Sequence, residues 1–196
     1  MLAGSVIPTG GGTNSNTFDT TEGLLAVLQT SSTSNSKAGL VANTAGVGIG
    51  RRLFAMRFKI RAKIDSTTSA RYYFGVTSNS TLPATDTPIA TSESGVIVGF
   101  NSADTTYQIY TNNGEGSEAT KTAVTGNIAK DTNLHTIEIN WVALDNVIII
   151  FDGTTQTVST ALPATTANLF FNAVVENTGS TQRAILIKGI LVEADK

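Results

Sequence analysis

The sequence MRFKIRAKI at residues 56–64 decides the fold class. Apolar side chains occupy every second position of this stretch, and the positions between them carry positive charge. These cations are Arg57, Lys59, Arg61 and Lys63, here called the basic row. A period of two places the apolar side chains on one face of a β-strand and the cations on the other. In a helix the same order would spread the apolar groups around the axis, so we predict a strand with one buried and one solvated face.

Similar β-patterned runs precede and follow this strand. Turn residues separate them at intervals of roughly 8–12 residues, which is typical of a β-sandwich or barrel. No segment has the periodicity of an amphipathic helix. We predict about twelve strands in all. Besides 56–64 they cover residues 24–28, 38–42, 71–77, 95–100, 107–111, 118–124, 136–144, 147–151, 156–159, 169–176 and 183–192. The pattern predicts an all-β fold, a two-sheet antiparallel β-sandwich.

Several short motifs carry local predictions. The sequence NNGEG at 112–116 and the pair Asp152-Gly153 contain residues that tolerate positive φ, which predicts tight hairpin turns. Gly189 predicts a bulge in the last strand. Residues 147–151 are apolar at every position, which predicts a central strand covered on both faces.

The chain of 196 residues has the length of a single domain. Residues 23–196 are expected to form one jelly-roll sandwich. Residues 1–22 are rich in Gly, Thr, Ser and Asn, so we predict an N-terminal arm or irregular lead-in. Such an arm has few apolar groups of its own to bury and would lie across a neighbouring subunit. Its removal is expected to weaken assembly and to leave the sandwich folded.

Composition excludes several kinds of partner and chemistry. Charged residues make up 14% of the chain and the net charge is -2, so nucleic acid is not an expected partner. The absence of cysteine excludes disulfides, Cys-ligated zinc and a thiol nucleophile. The sequence has neither a signal peptide nor an apolar run of membrane-spanning length, so we expect synthesis in a cytoplasm and no membrane insertion. No cofactor and no metal are expected.

Residues for catalysis are scarce. His135 is the only histidine, and at the start of a strand we expect it to be half exposed and not part of a Ser-His-Asp relay. Glu138 has Thr136 and Asn140 as its same-face neighbours, so this strand offers no carboxylate pair for glycoside hydrolysis. A carboxylate pair assembled from two distant strands is an alternative that the sequence leaves open. We predict that the protein is not an enzyme.

Two strand faces are candidates for binding. Gln108, Tyr110 and Asn112 share one face, where an exposed aromatic ring beside amides would suit a carbohydrate. The basic row would suit an acidic partner as an interaction surface. The row is also explained as a solvated face that opposes edge aggregation, with cross-strand acids offsetting its charge.

Five segments in combination resemble a group of phage and viral virion proteins with a concanavalin A-like lectin/glucanase jelly roll. They are RRLFAMRFKIRA at 51–62, RYYFGVTS at 71–78, GVIVGFNSADTTYQIYTNNGEG at 95–116, IEINWVALDNVIIIFDG at 137–153 and LPATTANLFFNAVVENTGSTQRAILIKGILVEAD at 162–195. The resemblance covers roughly residues 38–196. It implies a concanavalin A-like jelly roll. The sequence lacks the Glu-x-Asp-x-Glu strand of the catalytic branch of this fold and the metal-ligand loop of plant-type lectins.

The resemblance also implies a function. It indicates a non-enzymatic virion structural protein, either a capsid decoration or a tail or fibre module, made in the host cytoplasm and located on the virion. Its partners would be other copies of itself and other virion proteins. The alternative is a carbohydrate-binding module for host attachment, with a host-surface glycan as the partner.

Overall fold

The computed structural model describes residues 5–9, 13–21, 23–42, 49–50, 56–79, 87–143 and 145–194. These residues form fifteen β-strands and no helix. The strands are β1 (Ser5–Thr9), β2 (Thr13–Asp19), β3 (Gly23–Gln29), β4 (Lys37–Ala42), β5 (Ile49–Gly50), β6 (Met56–Ile64), β7 (Ala70–Thr77), β8 (Ser94–Phe100), β9 (Gln108–Asn113), β10 (Thr120–Ala123), β11 (His135–Ala143), β12 (Asn146–Phe151), β13 (Thr154–Val158), β14 (Asn168–Asn177) and β15 (Ala184–Ala194). Every run predicted from the sequence coincides with one of these strands, so the all-β prediction is confirmed.

The strands form two antiparallel sheets that pack face to face. The eight-stranded sheet has the order β1-β4-β14-β7-β8-β9-β10, and β5 pairs with β14 in addition. The seven-stranded sheet has the order β13-β12-β11-β6-β15-β3-β2. The prediction of a two-sheet antiparallel sandwich is therefore confirmed.

The core lies between the two sheets and is built from the alternating apolar positions. Ile60 of β6 lies opposite Ile137 of β11. The ring of Phe58 is 6.2 Å from that of Trp141 in the same sheet and 6.0 Å from that of Phe171 in the facing sheet. All five side chains are buried. Burial of each stabilises the fold by roughly 1.5–3 kcal/mol.

The second face of the eight-stranded sheet, here called the outer face, is also covered. On β7 the core positions alternate with outer-face positions, yet all residues of this strand are buried. Part of the cover is an apolar group separate from the main core, here called the outer cluster. It consists of Tyr73, Ile89, Ile97 and Tyr110. Ile89 lies after β7 and before β8, so the described end of this connection packs onto the sheet.

The N-terminal segment differs from its prediction. β1 pairs with β4 at one edge of the eight-stranded sheet, and β2 pairs with β3 at an edge of the seven-stranded sheet. The described part of residues 1–22 thus belongs to the sandwich and is not an arm. An edge strand is held by backbone hydrogen bonds on one side and requires no apolar alternation. A segment rich in Thr, Ser and Asn therefore showed no strand signal.

The local predictions hold at the β12–β13 turn and at the bulge. Asp152 and Gly153 have φ values of 48° and 87° and join β12 to β13. The register of β15 against β6 shifts between Ile187 and Gly189. The prediction that β12 is covered on both faces is wrong. Its side chains alternate between buried and half-buried, because β12 lies beside the edge strand β13, where the sheet is partly solvated.

Candidate functional site

A groove opens on the outer face, between residues 87–91 and residues 118–121. Its volume is about 480 Å³. It is lined by Thr87, Pro88, Ala90, Thr91, Asn101, Tyr110, Glu118, Ala119 and Lys121. Hydroxyl, amide, carboxylate and ammonium groups are thus combined with small apolar side chains. A groove of this size and chemistry fits a small polar ligand.

The groove wall at residues 87–93 is fixed by Glu93. The Glu93 carboxylate accepts a hydrogen bond from the Ala90 N–H at 3.1 Å and one from the Asn79 amide at 2.5 Å. The Glu93 N–H donates to the Ala90 carbonyl oxygen at 2.9 Å. Ile89 is fully buried in the outer cluster. This wall is therefore a packed part of the fold.

Asn112 joins the two walls of the groove. Its Nδ2 donates to the carbonyl oxygens of Ala90 at 3.1 Å and Ser117 at 3.0 Å, and its Oδ1 accepts from the Gly114 N–H at 2.9 Å. Asn112 is 1% exposed, so the exposed amide that the carbohydrate prediction required is absent at this position. Gln108 is half-buried, and its Nε2 donates to the carbonyl oxygen and to the hydroxyl of Thr106, two residues earlier in the chain. Asn112 therefore connects the two walls of the groove by hydrogen bonds and is not available to a ligand.

Tyr110 forms part of the groove floor. Its ring is only 5% exposed, packs edge-on against Tyr73 at a centroid distance of 6.0 Å, and has the Lys121 Nζ 5.7 Å from its centroid. Its hydroxyl donates to Asp104 Oδ2 at 2.9 Å. The prediction that Tyr110 presents an exposed ring for stacking on a sugar is therefore wrong. The loop at 87–93 covers this face, and the Lys121 ammonium lies over the ring.

Asp104 organises the floor. Its Oδ2 also accepts from the Asn101 N–H at 2.8 Å, and its Oδ1 forms an ion pair with Lys121. Burial raises the pKa of Asp104, but the bonds from Lys121, Asn101 and Tyr110 outweigh burial and hold this pKa below its ordinary value. Burial raises the pKa of Tyr110. The Tyr110 hydroxyl therefore stays protonated and donates.

A row of polar side chains continues from the groove across the sheet. Arg71 Nε donates to Asn101 Oδ1 at 2.7 Å, and Arg71 Nη1 lies 2.9 Å from Glu176 Oε1. Burial raises the pKa of Glu176, although Arg71 and Lys37 oppose that effect. Burial lowers the pKa of Lys37. The Arg71 charge is thus compensated by a carboxylate inside the face.

The Tyr73 hydroxyl and Asn172 Oδ1 are buried polar atoms of the outer face that have no hydrogen-bond partner among the described residues. Asn172 Nδ2, in contrast, donates to Thr77 Oγ1 and to the Phe170 carbonyl oxygen, both at 3.0 Å. An unpaired buried polar atom costs about 1–3 kcal/mol.

The basic row lies on the seven-stranded sheet, away from the groove. Arg57 donates to both carboxylate oxygens of Glu138, at 2.8 and 3.0 Å, and Lys59 Nζ lies 3.5 Å from the same carboxylate. Burial raises the pKa of Glu138, but the Arg57 bond and that of a neighbouring amide hold it below its ordinary value. Arg61 and Lys63 have interaction partners as well. Cross-strand acids offset the row at Arg57 and Lys59.

His135 begins β11 as predicted, but it is 7% exposed and not half exposed. Its Nδ1 lies 2.6 Å from Asp152 Oδ2, and its Nε2 lies 2.8 Å from Asp131 Oδ1. The ring packs against Tyr107 and Phe151. No serine is hydrogen-bonded to this ring in the part of the chain that the structure describes. His135 therefore joins two loops to the strand.

Within the described ranges, no group of three or more His, Cys, Asp and Glu side chains could hold a metal ion. None of the described segments forms a helix that is long and apolar enough to cross a membrane.

Sequence reasoning did not identify Asp104, Glu118 and Lys121 as site residues. Lys121 could have been found from the hairpin. Pairing of the residues on either side of the NNGEG turn places Lys121 opposite Tyr110. Asp104 and the wall at 87–93 lie in connections between strands. Their approach to the sheet depends on tertiary packing and had no sequence signal.

No protein-family model matches the chain, and no curated protein matches it in sequence. Solved structures do match it. A family 7 alginate lyase in complex with a GGG product is 15% identical, with a TM-score of 0.63 over 92% of this chain and 83% of the lyase. The carbohydrate recognition domain of Emp47p is 12% identical, with a TM-score of 0.61 over 92% of this chain and 86% of that domain. A carbohydrate esterase from the Shiga toxin-encoding bacteriophage phi24B is 16% identical, with a TM-score of 0.60 over 98% of this chain and 90% of the esterase.

The fold is the concanavalin A-like jelly roll. The fold implied by the sequence resemblance is thus confirmed. The prediction that the protein is not an enzyme is wrong, because an alginate lyase is built on the same sandwich. The absence of a Glu-x-Asp-x-Glu strand consequently does not exclude catalysis. Identities of 12–16% show the fold alone and assign no reaction.

Proposed function

We propose that the protein binds a carbohydrate in the groove on the outer face. The observation that carries this proposal is the lining of the groove, where hydroxyl, amide, carboxylate and ammonium groups surround an open space of about 480 Å³. Sugar hydroxyls are both donors and acceptors, so they pair with all four kinds of group.

The polar groups are arranged to face a ligand from two sides. Thr87 and Thr91 are exposed on one wall, and Glu118 and Lys121 are exposed on the other. The Lys121 ammonium is held in place by Asp104 and by the Tyr110 ring beneath it. A preorganised ammonium loses little side-chain entropy when a sugar hydroxyl binds to it.

The similar solved structures support a carbohydrate ligand. One is a lyase with a bound product, one is a carbohydrate recognition domain and one is a carbohydrate esterase. The fold thus carries carbohydrate chemistry in proteins of different function.

A binding experiment on the full chain tests the proposal. A glycan array identifies a ligand, and calorimetry then measures its Kd for the wild type, Lys121→Met and Thr91→Val. We expect Lys121→Met to weaken binding about tenfold, because a hydrogen bond to a charged group is lost. Lys188→Met, on the exposed surface of β15, is the matched control and should bind as the wild type does.

The absence of any glycan ligand contradicts the proposal, and so does equal binding by Lys121→Met and the Lys188 control. Urea denaturation of each variant shows whether it is folded. The recovered glycans are also analysed for new reducing ends and unsaturated ends. This second readout tests whether bound carbohydrate is cleaved.

Attachment to a virus particle is the second candidate function. It is supported by a bacteriophage protein that shares the fold over 98% of this chain. In this proposal the seven-stranded sheet faces the particle or a second copy, and the groove faces outward. Val142 and Leu191 expose 58% and 39% of their surfaces and would be covered. Light scattering of the full chain tests self-association, and a monomeric mass at all concentrations contradicts the homo-oligomer.

A further inference from the structure

We infer that the groove selects neutral sugars over acidic ones and that Glu118 sets this preference. The inference rests on the proposed function and adds the class of glycan. It starts from the charges that line the groove. Lys121 contributes a positive charge, and its ammonium is already ion-paired with Asp104. Glu118 contributes an exposed carboxylate that forms no ion pair with any described residue.

Recognition of a sugar carboxylate or sulfate requires a cation whose charge is not already compensated. The cations around this groove do not meet that requirement. Arg71, which bonds to the groove residue Asn101, is ion-paired with Glu176 and is 8% exposed. Lys130 does not line the groove; its ammonium donates to the Ser102 carbonyl oxygen at 3.2 Å and lies over the Phe100 ring.

Glu118 adds repulsion against an acidic ligand. Like charges repel each other at short range, and the partly enclosed groove screens this repulsion less than bulk solvent does. A neutral sugar is attracted by the same carboxylate. Its hydroxyls donate to the Glu118 carboxylate, and such charge-assisted bonds are about twice as strong as neutral ones. The same residue thus favours neutral glycans and disfavours acidic ones.

Reversal of this charge provides the test. Kd values are measured by calorimetry for neutral hexose oligosaccharides and for uronate oligosaccharides, with the wild type, Glu118→Lys and Glu118→Gln. We expect the wild type to prefer neutral oligosaccharides. Glu118→Lys should bind neutral ligands about tenfold more weakly and uronates about tenfold more tightly. Glu118→Gln should weaken neutral binding and leave uronate binding low.

Glu115→Lys is the matched control. Glu115 is also an exposed carboxylate, lies in the same hairpin turn and contacts Asn113 outside the groove. It introduces the same change in net charge and should leave both Kd values unchanged. If the wild type prefers uronates, or if Glu118→Lys and Glu115→Lys behave alike, the inference is overturned while the proposed function stands. If the wild type binds no oligosaccharide of either class, the proposed function itself fails.

Discussion

Asp131 and Asp152 hold the two ring nitrogens of His135, at 2.8 and 2.6 Å. The His135 ring also packs between Tyr107 and Phe151. One residue thereby fixes the loop at Asp131 and the turn at Asp152 to the start of β11.

The pH dependence of stability follows from Asp131. Burial raises its pKa, but the Asn133 N–H and the His135 ring outweigh burial and hold the pKa below the ordinary value. A carboxyl group with a lowered folded-state pKa stabilises the protein above the unfolded-state pKa of about 3.9. That stabilisation is lost as pH falls through the folded-state pKa. Because the side chain is 40% exposed, we expect a contribution of under about 1 kcal/mol.

Urea midpoints measured from neutral to acidic pH test this expectation. Asp131→Asn should be less stable than the wild type at neutral pH and should lose less stability in acid. Asp145→Asn, in an exposed turn, is the control and should follow the wild-type profile. Identical acid profiles for the wild type and Asp131→Asn contradict the role of this carboxylate.

At the scale of the strand, alternation was sufficient to assign β6 and insufficient to describe β12. Lys59 lies opposite Glu138 of β11, and Arg57 lies opposite Glu193 of β15. Which strands lie beside β6 depends on the order of the sheet. The continuous apolar run of β12 was interpreted as buried on both faces, yet its side chains alternate in burial. Whether a layer covers the second face of a strand depends on distant loops. Period-two patterns therefore fix which residues share a face and leave the cover of that face undetermined.

The approach of β7 to β8 leads to a prediction at this scale. A Cβ on Gly99 would lie 1.9 Å from the Tyr72 carbonyl oxygen, whereas a Cβ on Gly189 would meet nothing within 4 Å. We expect Gly99→Ala to destabilise the protein by about 3 kcal/mol or more, because backbone atoms must move apart. Gly189→Ala should change the free energy of unfolding by less than about 0.5 kcal/mol. Urea denaturation measures both changes. Equal midpoints for Gly99→Ala and Gly189→Ala would show that β7 and β8 can move apart without loss of stability.

For the whole molecule, the sandwich could be predicted because each buried strand repeats the same simple pattern. The edge strands β1 and β2 could not, since their pairing uses backbone groups that every residue type possesses. The site was predicted in part. Tyr110 was placed on the correct strand face, but the wall at 87–93 and the ion pair of Asp104 with Lys121 bury it. These contacts join connections that are remote from the pattern of any one strand.

The placement of β1 and β2 predicts the effect of truncation. Deletion of residues 1–22 removes one edge strand from each sheet. We expect the free energy of unfolding to fall by about 3 kcal/mol or more, at about 1 kcal/mol per lost ladder bond. The newly exposed edges should also promote association. Urea denaturation and light scattering measure the two effects. An unchanged midpoint after deletion of 1–22 would restore the interpretation of this segment as an arm.

The order of the strands has a consequence during synthesis. β14 lies between β4 and β7, and β15 lies between β6 and β3, so both are made after every strand that they join. A nascent chain on the ribosome therefore holds two unclosed half-sheets in each layer until these last strands emerge. Folding must then proceed through pairings that are distant in sequence, which is slow and exposes unpaired edges to other chains. Production of this protein should therefore depend on chaperone capacity more than its modest length suggests.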